Sequence, residues 1–188
     1  IRLMAVTSPA NAMTVDVEDY FQVSAFERFI GRDEWDTREC RVEANVDRIL
    51  KLFDRHGVRA TFFTLGWVAQ RYPEMVRRIV AQGHELASHG WSHVRVTQQN
   101  SDEFRQDVVR TKAFLEDVSG QEIMGYRAAS YSIGATNLWA LDVLQETYVA
   151  AVGNIASYRG TGSLEAWLCG IALRRARDWK RRLLVRFK

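Results

Sequence analysis

The 188-residue chain is 47% apolar and 26% charged, a balance that suits one globular domain or one domain with a small appendage. No apolar run reaches the roughly 18 residues of a membrane span, and the first residues lack the apolar stretch of a secretory leader. Cys40 and Cys169 are far apart and unpatterned, which speaks against a disulfide framework and leads us to expect a cytoplasmic location.

Residues 12–17 read as a first strand, β-branched and running into Asp16, Glu18 and Asp19. Residues 21–36 are aromatic and charged without clean periodicity, so mostly loop is expected. Val42, Val46, Ile49, Leu50 and Phe53 recur at helical spacing, with Gly57 as a stop. Residues 60–65 have the content and length of a strand. Pro73 then opens a helix in the favoured first-turn position and carries Met75, Val76, Ile79 and Val80 to Gly83. Residues 85–88 form a short third strand. Asn100-Ser101-Asp102-Glu103 resembles a capping box before a helix that ends near Gly120. A fourth strand over 123–126 leads into Arg127, and a last helix covers 137–145. This alternation predicts a parallel α/β architecture.

His89 and His93 lie just past the third strand, four residues apart, and imidazole is the commonest protein ligand for metals. A catalytic metal needs a third protein ligand and an open position. The acidic cluster, the histidine pair and Arg127 each follow a predicted strand end, the rim on which α/β folds build their sites. That shared position makes a metal centre the favoured reading.

Four segments together resemble the polysaccharide deacetylases, the NodB-homology carbohydrate esterases, in the branch associated with exopolysaccharide gene clusters. They are residues 14–21 (TVDVEDYF), 60–63 (ATFF), 89–93 (HGWSH) and 125–132 (GYRAASYS). The likeness runs from about residue 13 to residue 146. It implies an incomplete (β/α) barrel and N-deacetylation of an N-acetylated amino-sugar polysaccharide. It also implies a divalent ion, zinc, held by His89, His93 and a carboxylate, either Glu18 or its rival Asp19. Asp16 would be the general base, Arg127 would orient Asp16 and lower its pKa, and a backbone N–H near Ser130 would meet the oxyanion. Two departures stand out. Ala129 replaces the family's usual proline, and no histidine follows His93 to protonate the leaving amine. Impaired activity is therefore expected.

The charge is uneven along the chain. Residues 147–188 carry nine Lys/Arg against two Asp/Glu, a balance of +7, while the remainder sums to −4. Residues 158–182 resemble a fragment of bacterial RNA polymerase sigma factors. Arg174, Arg175, Arg177, Lys180, Arg181 and Arg182 would there meet nucleic acid weakly and without sequence preference. The expected domains are thus 1–146, a truncated deacetylase, and 147–188, a basic helical segment. The join is a natural fusion, a rearranged reading frame or a deliberate chimera, and the alternative to an enzyme is a relic that only binds. With about four strand–helix units, an open parallel sheet is expected, its last edge covered by the basic segment or by a second chain.

Overall fold

The computed structural model describes residues 12–152, so the cationic residues Arg174 to Arg182 lie outside the described residues. Among the described residues three parallel strands form one sheet in the order β1-β2-β3: β1 Met13–Val17, β2 Ala60–Thr64 and β3 Glu85–Ser88. Val15, Phe62 and Leu86 stand in register, as do Asp16, Phe63 and Ala87. Register partners in a parallel sheet share a face. Val17, Phe62 and Leu86 therefore belong to the face buried in the hydrophobic core, whereas Asp16 stands on the other.

Helices cover the apolar face. In α1, Val42–His56, the residues Val42, Val46, Leu50 and Phe53 are buried at spacings of three and four. Gly57 ends it at φ 62, in the left-handed region that favours glycine. Next come α2, Gly66–Arg71, and α3, Pro73–Ala81, which turns Met75, Val76 and Ile79 inward. In α4, Ser101–Ser119, the expected capping box is present: Asn100 Oδ1 accepts from Asp102 N and Glu103 N, both at 3.0 Å, and Glu103 Oε2 accepts from Asn100 N at 2.8 Å. The last helix, α5, spans Trp139–Val152. It runs unbroken past Glu146, and Tyr148 packs in the core.

One expectation is corrected. The strand over 123–126 reduces to a single bridge between Ser88 and Tyr126. Ile123 N donates to Glu116 Oε1 of α4 at 3.0 Å, which removes it from any ladder, and only Ser88 N to Gly125 O and Arg127 N to Ser88 O remain as pairing bonds. The expected loop over 21–36 carries 3-10 turns at Tyr20–Gln22 and Arg32–Thr37. The short helix α2 was not foreseen. No helix among the described residues is long and apolar enough to cross a membrane.

Candidate metal centre

Strand alternation places Thr14, Asp16 and Glu18 on one side of β1 and its extension, opposite the buried Val17. Glu18 reaches the two histidines just beyond β3. Its Oε2 lies 3.1 Å from His93 Nε2 and 3.9 Å from His89 Nε2, and the three ligand atoms all lie within 4.8 Å of one another. His89 and His93 are buried, with ring centroids 5.2 Å apart. Thus Glu18, His89 and His93 converge.

Each imidazole is prepared to act as a neutral ligand. His89 Nδ1 sits 2.8 Å from the Arg127 carbonyl oxygen, to which it donates, leaving the Nε2 lone pair free. Burial lowers the pKa of His89. Burial, His89 and Arg32 together push His93 down to about 4. Burial and the neighbouring Asp16 charge raise Glu18 to about 7. Glu18 Oε2 is also a buried oxygen without a hydrogen-bond partner. An orphaned carboxylate oxygen facing two free imidazole nitrogens fits a divalent cation, and one carboxylate oxygen with two nitrogens is a donor set zinc accepts.

Asp19 goes elsewhere. It is 5% exposed, and its Oδ2 accepts from Arg41 N and from Val42 N, the latter at 2.9 Å, while Oδ1 accepts from Tyr20 N at 2.9 Å. Its carboxylate caps the start of α1 and a 3-10 turn. Of the two rival carboxylates, only Glu18 joins the histidines.

Arg127 links His89 to Asp16, the expected base. Its guanidinium pairs with Asp16 Oδ1 and donates to Thr14 Oγ1 at 3.0 Å, and it stacks 3.9 Å over the Phe63 ring. Ser130 lies in the tight turn that follows, at φ 51, with Tyr131 at φ 52. Left-handed geometry at consecutive non-glycine residues is unfavourable and marks a constrained turn. Ser130 Oγ meets Ser24 Oγ at 2.6 Å, which ties this turn to the segment after β1.

That segment forms a cavity of about 140 Å³ beside His93, lined by Gln22, Ser24, Glu27, Arg32 and Trp35 among others. Gln22 Oε1 accepts from Asp19 N at 2.8 Å, which fixes the amide with Nε2 as an unpartnered buried donor; Trp35 Nε1 is a second such donor. Sequence reading missed this wall because its residues follow no period. The clustering of aromatic and charged side chains was the one available signal.

Residues 33–150 match the polysaccharide deacetylase family. The chain belongs to that family. Asp16 and Glu18 precede the matched stretch, so their place in the site rests on geometry. Residues 126–184 also match sigma-70 region 2, overlapping the deacetylase match. A peptidoglycan-N-acetylglucosamine deacetylase of Bacillus cereus is 37% identical over 73 residues, 39% of this chain and 26% of that protein. A Mycobacterium smegmatis structure assigned to the polysaccharide deacetylases superposes with a TM-score of 0.60 at 28% identity, covering 73% of this chain and 48% of that one. A Bacillus anthracis pseudoenzyme of the CE4 family shares the fold at a TM-score of 0.55 and 22% identity, over 71% of this chain and 40% of its own. The chain therefore spans about a quarter of the curated relative and less than half of either structure.

Proposed function

We propose that the chain carries the catalytic centre of a metal-dependent N-deacetylase acting on an N-acetylated amino-sugar polysaccharide. One observation supports this most: Arg127 orients a metal-type histidine through its carbonyl and holds the Asp16 carboxylate through its guanidinium. Glu18, His89 and His93 would hold the ion, zinc by their donor set. When bound, such an ion polarises an acyl oxygen and acidifies water. Asp16 then takes the proton at Oδ2, since Arg127 engages Oδ1. The constrained turn at Ser130 would supply one backbone N–H to the developing oxyanion, although the Tyr131 and Ser132 N–H groups donate within the turn, to Ala128 O and Ala129 O. The cavity beside His93, lined by Gln22, Glu27, Arg32 and Trp35, would receive a neighbouring sugar.

The Bacillus cereus relative supports an N-acetylglucosamine glycan as substrate, and the likeness of residues 14–21 to the exopolysaccharide branch supports an exopolysaccharide. Within these 188 residues no histidine follows His93, so this stretch by itself would offer the leaving amine no later imidazole acid, and its own acetate release would be slow. Single-turnover acetate release from N-acetylglucosamine oligomers, with chain in excess, tests the reading. Release that is abolished by a chelator and by Asp16→Asn is expected. Release indifferent to both would defeat it.

The sigma-70 match supports a second reading, in which the basic residues from Arg174 to Arg182 bind phosphate backbones weakly. Log affinity falling with log salt at about −0.9 per phosphate contacted is the expected signature. Retention indifferent to salt would count against it.

A further inference from the structure

His93 sits at φ 53, in a left-handed conformation that non-glycine residues rarely keep unless their surroundings impose it. The connection Gly90-Trp91-Ser92 is where the surroundings act. Gly66 N and Trp67 N, opening α2, donate to Gly90 O and Trp91 O at 3.0 and 2.9 Å. Arg32 Nε donates to Ser92 O at 3.1 Å. From the other side comes α4: Asp107 Oδ1 and Oδ2 accept the Trp91 N–H at 3.0 and 3.3 Å. On the same stripe of α4, Arg110 lies 3.4 Å over the Trp91 ring and Phe114 meets its edge at 5.4 Å. Gly90 makes the approach possible, because a Cβ there would stand 2.9 Å from Asp107 Oδ2. The core residues of α4, Phe104, Val108 and Leu115, lie on a different stripe.

We infer that Asp107 is a positioning residue of the metal centre, its carboxylate gripping the Trp91 N–H so that His93 is held with Nε2 toward Glu18 and His89. Arg110 and the Tyr126 hydroxyl are the polar groups that face it. Asp107 touches neither ligand directly. It fixes the three-residue bridge between them, so releasing it loosens the spacing of the two imidazoles while the apolar packing of α4 persists. Partners in this outer layer typically change metal affinity by about 10–100-fold when removed.

This inference rests on the metal-site reading above, and Co²⁺ titration of the full chain, followed by visible absorption, separates the two. Wild type, Asp107→Ala, Asp107→Asn and Arg105→Ala are compared, with thermal midpoints taken in chelator. Arg105 pairs with Glu146 on another part of α4 and serves as the control. We expect Asp107→Ala to bind Co²⁺ about 10–100-fold more weakly, with an altered absorption band, while its chelated midpoint stays close to that of Arg105→Ala. Asp107→Asn, which keeps an acceptor oxygen, recovers most of the affinity. Wild-type affinity and absorption in Asp107→Ala would overturn the inference and leave the metal site standing. An Asp107→Ala chain unfolded in chelator, or an equal loss in Arg105→Ala, would make the residue merely structural and also overturn it. Failure of the wild type to bind Co²⁺ would remove both readings together.

Discussion

His93 Nε2 lies 3.1 Å from Glu18 Oε2, an ion-pair distance between two groups that burial drives toward their neutral forms. The imidazole, pushed down to about 4, is ready as a ligand throughout the neutral range. The carboxyl, pushed up to about 7, still has a proton to lose. Protons therefore oppose metal binding below about pH 7 and not above it. Zinc affinity should rise about tenfold per pH unit up to that point and then level off. Calorimetric titration from acid to mildly alkaline pH checks this. A flat profile would show that Glu18 is not the titrating ligand.

The adjacent carboxylates separate by substitution. Glu18→Gln removes the orphaned buried oxygen's charge and should abolish tight zinc binding. The raised pKa of Glu18 means that its contribution to stability in the metal-free protein is lost as pH rises through about 7, so the variant should be no less stable than wild type at neutral pH. Asp19→Ala should do the reverse. It leaves the Val42 N–H buried at the start of α1 without its acceptor, a loss of about 1–3 kcal/mol, with zinc affinity retained. Denaturant midpoints and zinc titrations on both variants give the crossed result, and uncrossed outcomes would exchange the two roles.

That Asp16, His89, His93 and Arg127 gather on one rim was legible because each stands at or just past the end of a strand or bridge of the sheet, although residues 89–93 form no helical turn. Glu18 could not be told from Asp19 on that basis. Both follow β1, and the difference is made by the backbone N–H groups of Arg41 and Val42, more than twenty residues away. The strand at 123–126 failed for a similar reason, since its first donor is claimed by a side chain of α4. Asp107 was invisible because an acid on a half-buried helical stripe looks like any solvent-facing one until the Trp91 amide is placed against it.

Activity follows from what the chain holds and what it lacks. General acid catalysis typically contributes about 10²–10⁴-fold, so acetate release by this 188-residue chain should be slower than that of a relative with the later histidine by a factor of that order. Arg127→Lys should reduce it further. Lysine cannot span Asp16 and Thr14 with one planar fork while stacking on Phe63. Zinc binding should survive in that variant, because the bond to His89 comes from the residue 127 carbonyl. Turnover at a relative's rate would mean that another group supplies the proton.

The last prediction sets two glycines against each other. A Cβ at Gly66 would stand 2.4 Å from the Trp91 ring, and that ring cannot withdraw freely with Arg110 on its face and Phe114 at its edge. Gly66→Ala must therefore shift the bridge between His89 and His93. Overpacking of this kind typically destabilises by about 1–3 kcal/mol, and here zinc affinity should fall with it. Gly57 is different: a Cβ there meets nothing within 4 Å, but φ is +62. Gly57→Ala should lower stability by about 1 kcal/mol through backbone conformation alone and leave zinc affinity unchanged. Matched chemical denaturation and zinc titration decide the pair. If both variants lost stability while zinc affinity held, the bridge would not be what spaces the ligands.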